Sequence, residues 1–353
     1  MPDMTLRRRA ILGLVIRSYV ETGLPVGSKS FVTSFGLDVS SATVRNEMAA
    51  LEEMGYLTHP HTSAGRIPTE TGYRYFVEHL LGETELPLPE QYMIRHQFHQ
   101  AQLELDHWVR LAVAVLAHTT RKAALATPPR SRENKFKYLE LISLRDTLVL
   151  LILVLEGGTV KQQVLTVDQP VDQEALSQLS RQLNRELGAM RMAAEGWHEA
   201  LPALGGQVGR IVGDMLAVAD TPTGLPVYRD GLMHILEEPE FAEGEQARQM
   251  VQTLEGPSLV EVVMSVAQPL EIGGVQVLIG GEGRWEELTE LSVVLSRYGI
   301  EGGVSGLLGV VGPVRMTYDR TIGAVRYVSR LMSGLVSEWY EADFQPDSHD
   351  LVG

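Results

Sequence analysis

The apolar positions near the start of the chain repeat with a helical period. Ile11, Val15 and Tyr19 form one i, i+4 row, and Leu12, Ile16 and Val20 form its neighbour. This predicts a helix over residues 5–22, stopped by Gly23 and Pro25. Ser28 caps a short second helix, about Lys29 to Phe35, that ends at Gly36; Ser40 or Ser41 caps a third, about Ala42 to Met54, that ends at Gly55. Three short helices with tight glycine-containing connections predict a helix-turn-helix. On the third helix Val44, Met48 and Leu51 share one side, while Ala42, Asn46, Ala49 and Glu53 lie opposite with Arg45 on the flank. Leu57 to Pro68 reads as a small hairpin with Gly65 at its turn and Arg66 beside it. Thr69 caps a fourth helix to about Leu81, whose Tyr73, Phe76, Val77 and Leu80 face inward. A helix followed at once by a hairpin is the plan of a winged helix-turn-helix.

Further along, Gly82 to Pro89 reads as a linker, residues 90–126 as helical, and Pro128 to Asn134 as a polar loop. Three strands follow. Lys137 to Ser143 is short; Thr147 to Leu155 is almost wholly apolar, which predicts a central strand buried on both faces; Thr159 to Val167 returns through Gly157-Gly158. A mainly helical block comes next. Its first helix starts at Asp172 and carries the stripe Leu176, Leu179, Leu183, Leu187; others are predicted near Gln207–Ala219, Glu243–Leu254 and Ser258–Ala267. Strand pattern resumes at Gly274–Ile279, Leu291–Leu295 and Gly303–Val311, before a last helix from about Pro313 to Trp339 and a frayed tail. Strands on both sides of helical text predict an α+β domain interrupted by an insertion.

Composition narrows this picture. A chain of 353 residues is too long for one core and implies two or three domains. Residues 7–16 (RRRAILGLVI) superficially resemble an export signal, but Arg17 ends the apolar run and no small-residue cleavage site follows. Cysteine is absent, which excludes disulfides and thiolate metal sites. These features predict a cytoplasmic protein. The net charge of −15 is unevenly placed: residues 1–81 hold eight Lys+Arg and eight Asp+Glu, so the whole excess lies downstream. A neutral head on an acidic body can approach DNA locally while the body is repelled.

The candidate chemistry is nucleic-acid recognition. A helix entering the major groove needs small residues for close approach and a few donors near its N-terminus. Ala42 suits a thymine methyl, Asn46 an adenine edge and Arg45 a guanine edge. Ser40, Ser41 and Thr43 sit where helix N–H groups and hydroxyls hold phosphate. Arg66 would be presented by the hairpin to the minor groove or the backbone. His59 and His61 lack a third ligand, so no metal is assigned. The glycine-rich IGGEG at Ile279 to Gly283 matches neither the dinucleotide fingerprint nor the P-loop. No catalytic constellation is legible, and neither an enzyme nor a cofactor is predicted.

PVGSKSF, SSATVRNEMAALEEMGYL and PHTSAGRIPTETGYRYFV resemble the N-terminal domain of the heat-inducible transcription repressor HrcA family, and the resemblance continues at VLIGGEG and YGIEGGVSGLLGVVGPVRMTYDRTI. Glu47 stands where the family usually has aspartate. The resemblance implies a winged helix (residues 1–82), a GAF-like domain in two parts (83–170 and 269–342), an inserted dimerising domain (171–268) and a tail (343–353). It also implies a nucleoid-associated homodimer that binds an inverted-repeat operator, CIRCE, ahead of chaperone genes, is released on heating, and has the chaperonin GroEL as partner. Carried over residue by residue, the DNA-facing set is Ser28, Lys29, Ser40, Ser41, Ala42, Thr43, Arg45 and Asn46, with His61, Thr62, Ser63 and Arg66 on the wing. The competing readings are a small-molecule-gated GAF-domain regulator and a winged-helix protein-docking scaffold.

Overall fold

The computed structural model describes residues 4–28, 40–60, 65–82, 84–101, 104–131, 136–155, 160–189, 203–220, 226–241, 244–267, 269–281 and 289–343. The chain forms two compact units. The first comprises Met1–Pro128, Pro226–Gly299 and Gly306–Gly353; the second comprises Pro129–Leu225 with Ile300–Ser305. Both mix helices with antiparallel sheet.

The first unit begins with α1 (Leu6–Thr22) and α2 (Ser41–Glu53), then the two-residue strands β1 (Leu57–Thr58) and β2 (Ile67–Pro68), then α3 (Glu70–Tyr75), which runs on as a π-turn over Phe76–Leu80. Thr5 caps α1 by accepting from the Arg8 N–H, and Gly23, in the left-handed region at φ 66°, closes it. Ile11, Leu12, Val15 and Ile16 of α1 pack inward with Val44, Met48 and Leu51 of α2. The predicted second helix, Lys29 to Phe35, lies outside the described residues.

After the linker come α4 (Leu88–Gln100) and α5 (Leu105–Thr120). The region predicted as continuous helix to residue 126 ends instead in a strand, β3 (Ala123–Ala126). Arg121 breaks the helix with φ 52°, and the four alanine and leucine residues that follow are all buried between neighbouring strands. Alanine favours helix locally, and here the pairing of β3 overrides that preference.

The second unit contains β4 (Arg130–Ser131), β5 (Phe136–Arg145), β6 (Leu148–Leu155), β7 (Val160–Thr166), α6 (Gln173–Ala189) and α7 (Ala203–Asp220). β5, β6 and β7 form an antiparallel meander with β6 in the middle. Leu139, Leu141, Val149, Leu151, Leu153 and Leu165 pack with Leu176, Leu183 and Leu187 of α6 and Val208, Val212 and Leu216 of α7. α6 also closes the free edge of β5 with side chains. Asn184 accepts from the Leu139 N–H (2.8 Å) and donates to its carbonyl (2.8 Å), and Ser180 accepts from the Leu141 N–H (3.0 Å). Gln173 accepts from the Ser143 N–H and donates to the Leu141 carbonyl. An edge strand satisfied in this way offers no ladder to another chain.

β6 is central, as its composition predicts, but it is not buried on both faces. Its burial alternates, because helices cover one side only. Tyr138, Leu144, Leu148, Val160 and Val164 are exposed.

The chain returns to the first unit with β8 (Tyr228–Asp230), α8 (Leu232–Leu236), α9 (Gly244–Glu255), α10 (Pro257–Ala267), β9 (Val275–Leu278), β10 (Leu291–Gly299), β11 (Val304–Pro313, its first two residues belonging to the second unit) and α11 (Tyr318–Asp343). The sheet order is β8-β3-β11-β10-β9, with β4 beside the start of β11. Ile235, Met250, Leu254, Leu259, Val262 and Val263 from α8–α10 pack against Leu125, Val293, Leu295 and Leu307 of this sheet. The compact units therefore divide near residues 128 and 225, whereas the sequence pattern places the inserted block at 171–268. Amphipathic spacing shows that a helix has an apolar face but not which sheet that face covers, so the three strands and the helices of 232–267 exchange units.

Within the first unit, the N-terminal helices are tied to this sheet and to the turn that follows β11. Both Nη atoms of Arg74 donate to the Val277 carbonyl at 3.1 Å, and Arg315 Nη1 donates to the Val20 carbonyl at 3.2 Å.

Candidate nucleic-acid interface

Ser40 precedes α2 with extended backbone, and its hydroxyl accepts from the Thr43 N–H at 3.1 Å and meets the Thr43 hydroxyl at 2.9 Å. The cap leaves the Ser41 and Ala42 N–H groups, in the first turn, pointing outward along the axis. The sequence-predicted face is open: Ser40, Ser41, Ala42, Arg45 and Asn46 are exposed, and Thr43 is half-buried. Behind it, Val44 and Leu51 are fully buried and Met48 nearly so. The helix is thus held by one apolar stripe, and the residues with donors or no bulk are left over. Among the described residues, no side-chain partner engages Arg45 or Asn46.

The flank of α2 is fixed by charge. Glu47 accepts from Arg8 Nε at 2.8 Å and lies 3.8 Å from Arg7 Nη1, which joins α2 to the first turn of α1. Arg9 and Arg17 are exposed on α1.

The hairpin is short. Leu57 pairs with Pro68 and Thr58 with Ile67. A third extended segment joins it, because Val26 and Arg66 exchange backbone hydrogen bonds of 2.8 and 2.9 Å. Gly65 is required here: a Cβ would lie 2.6 Å from the Val26 carbonyl carbon. Gly72 is required in the same way, since its Cβ would meet the Tyr56 carbonyl oxygen at 2.2 Å. Thr69 ties the base together, donating to the Gly55 carbonyl (2.6 Å) and accepting from the Gly72 N–H (3.1 Å).

Arg66 does not extend outward from this frame as expected from its place beside the turn. Its guanidinium folds back to Glu52 of α2, with Nη2 to Oε2 at 2.6 Å, and the side chain is only 26% exposed. His59 Nδ1 donates to the other oxygen of the same carboxylate. Sequence reasoning missed Glu52 and Glu47. Neither was assigned a partner, because the side chains that give them a role are 7, 14 and 39 residues away. Ser28 is half-buried two residues past Val26, and Lys29, His61, Thr62 and Ser63 lie outside the described residues. Among the described residues, no group of three or more His, Cys, Asp or Glu side chains is placed to hold a metal ion, and no helix is long and apolar enough to cross a membrane.

Comparison with known proteins bears on this arrangement. Residues 106–322 match the family model of the HrcA protein C terminal domain. The chain is 45% identical over 356 aligned residues to the heat-inducible transcription repressor HrcA of Roseiflexus castenholzii, covering 98% of both chains. It is 44% identical to that of Herpetosiphon aurantiacus (96% of this chain, 97% of the relative) and 42% identical to that of Thermomicrobium roseum (95% and 96%). A crystal structure of a hypothetical protein shares the fold with a TM-score of 0.55 at 22% identity, covering 95% of this chain and 98% of that one. With a family match over more than half its length and relatives that align almost end to end, the chain belongs to the HrcA family of heat-inducible transcription repressors.

Proposed function

We propose that this repressor binds an inverted-repeat operator of the CIRCE type, ahead of chaperone genes, as a homodimer with one copy of the 40–68 segment on each half-site. In this reading residues 1–82 are a winged helix, α2 is its recognition helix, and the hairpin is its wing. The five-strand path β8-β3-β11-β10-β9 and its helices are the GAF-like body, and the unit at 129–225 is the dimerising insert. Ser28, Lys29, Ser40, Ser41, Ala42, Thr43, Arg45 and Asn46 face DNA together with the wing residues His61, Thr62 and Ser63, while Arg66 is held back against Glu52. Heating releases the complex, and GroEL is the partner that keeps the repressor active.

The observation that carries this reading is the two-sidedness of α2. Val44, Met48 and Leu51 are between 0 and 3% exposed, while Ser41, Ala42, Arg45 and Asn46 stand clear of the protein. Small residues and donors near a helix N-terminus, opposite a buried stripe, suit entry into a major groove. The dimer is supported by the uncovered outer face of β5–β7, where Leu148, Val160 and Val164 are exposed. Two-fold symmetry in the protein then matches the two-fold symmetry of an inverted repeat.

The test is a gel shift with the full chain on an inverted repeat and on a scrambled duplex of the same length, at rising temperature and with and without chaperonin. A salt-sensitive complex confined to the inverted repeat and lost on heating is expected. Equal binding to both duplexes, or to neither, rejects the reading.

A further inference from the structure

We infer that Glu52 is a positioning residue for DNA binding: it locks both legs of the hairpin to the recognition helix and so fixes where the hairpin meets the duplex. This rests on the reading of residues 40–68 as the DNA-binding segment.

The geometry is specific. The last ladder pair of the hairpin is Thr58 with Ile67. His59 follows the first of these residues and Arg66 precedes the second, so the two flank the mouth of the loop. Glu52, in the last turn of α2, spans that mouth. Oε2 forms an ion pair with Arg66 Nη2 at 2.6 Å, and Oε1 accepts from His59 Nδ1. Each leg therefore meets a different oxygen of one carboxylate, one through an ion pair and one through a hydrogen bond, and that carboxylate is 24% exposed. A hairpin of two residue pairs has little stability of its own. A hydrogen bond to a carboxylate is stronger than a neutral one, and here it acts beside the Arg66 ion pair to link the hairpin to the one helix whose register on DNA matters. Val26 fixes the outer side of the hairpin through Arg66 backbone atoms, and the Tyr56 N–H bond to the Leu51 carbonyl holds its base, so Glu52 is the side-chain link from the mouth of the loop to α2.

The same contacts allow an opposite role. Glu52 would compete with phosphate for Arg66, and its removal would then strengthen binding. The two roles predict opposite signs, which makes the assignment testable.

The experiment uses the full-length protein with Glu52→Ala and Glu52→Gln, read by operator titration and by hydroxyl-radical footprinting. Positioning predicts that Glu52→Ala weakens operator binding about tenfold. Protection at the outer flanks of each half-site should fade while protection beneath α2 persists. Glu52→Gln keeps the volume and one acceptor, so it should fall between the two and retain the fold if the alanine variant does not. A merely structural role lowers all protection together, and that outcome overturns the inference. Unchanged or tighter binding by both variants overturns it as well. Failure of the wild-type chain to footprint an inverted repeat overturns the DNA-binding reading itself and is seen without any variant.

Discussion

Two exposed surfaces of this molecule have the same support and opposite chemistry. α2 and the β5–β7 sheet are each buried on one side by aliphatic residues: Val44, Met48 and Leu51 in the helix, and Leu139, Leu141, Leu151 and Leu153 in the sheet, all between 0 and 3% exposed. The uncovered sides differ. On α2 they are serine, alanine, arginine and asparagine. On the sheet, the apolar cross-strand rows Ile142–Leu150–Val164 and Tyr138–Val154–Val160 flank the mixed row Glu140–Ile152–Gln162. Val164 is 54% exposed and Val160 53%. Leaving such a surface in water forgoes about 25 cal/mol for each Å² that a partner would bury. The buried sides are interchangeable packing, and they say only that a helix and a sheet exist. In the proposed reading the uncovered sides differ in what each element would meet: a polar groove for the helix and another apolar surface for the sheet.

The strongest way to break this contrast is to put a charge on the sheet. Val164→Glu changes a side chain already half in water, so the monomer should keep its unfolding midpoint. If a second copy covers the face, the buried unpaired carboxylate costs about 3 kcal/mol or more and raises the dimer dissociation constant at least about a hundredfold. Sedimentation equilibrium reads this directly. A dimer that forms equally well with Val164→Glu places the partner elsewhere, and the apolar face then loses its assigned occupant.

The polar face is tested by Asn46→Ala. A bidentate contact to a base is worth about 1–3 kcal/mol of discrimination, so the loss should appear on the operator and not on random DNA. Equal losses on both duplexes would assign Asn46 to the phosphate backbone.

How much of this was legible in the sequence follows the same division. The α2 stripe at Val44, Met48 and Leu51 and the open face opposite it could be read from helical period alone, because both are properties of one element. The outer face of β6 could not. LVLLILVL carries apolar residues at every position, and only the packing of α6 and α7 shows that half of them are uncovered. Arg66 was located but not oriented: its place beside Gly65 is a fact of sequence, whereas its turn toward Glu52 depends on how the hairpin folds over α2. Ala123 to Ala126 was misread as helix because its preference is helical and its neighbours in space are Leu308 to Val311, some 185 residues away. The two halves of the body sheet likewise carry no local signal that they belong together.

The smallest effect concerns the claim that buried sides are interchangeable packing, to which Tyr73 is an exception. It is 2% exposed on α3, lies beside Tyr318 with ring centroids 5.8 Å apart, and its hydroxyl finds no hydrogen-bond partner among the described residues. Burial, reinforced by the neighbouring Tyr318, pushes its phenol well above the ordinary tyrosine range. The sign follows from linkage. The folded state holds the proton more tightly than the unfolded state, so this contribution is intact below the unfolded value near pH 10 and declines as pH rises above it. Tyr73→Phe removes both the unsatisfied hydroxyl and the titration. Urea unfolding should show a gain of about 1 kcal/mol at pH 7, with the advantage over wild type widening above pH 10. A loss at pH 7 would show that the hydroxyl is satisfied and that the inner side of the head is specific as well as apolar.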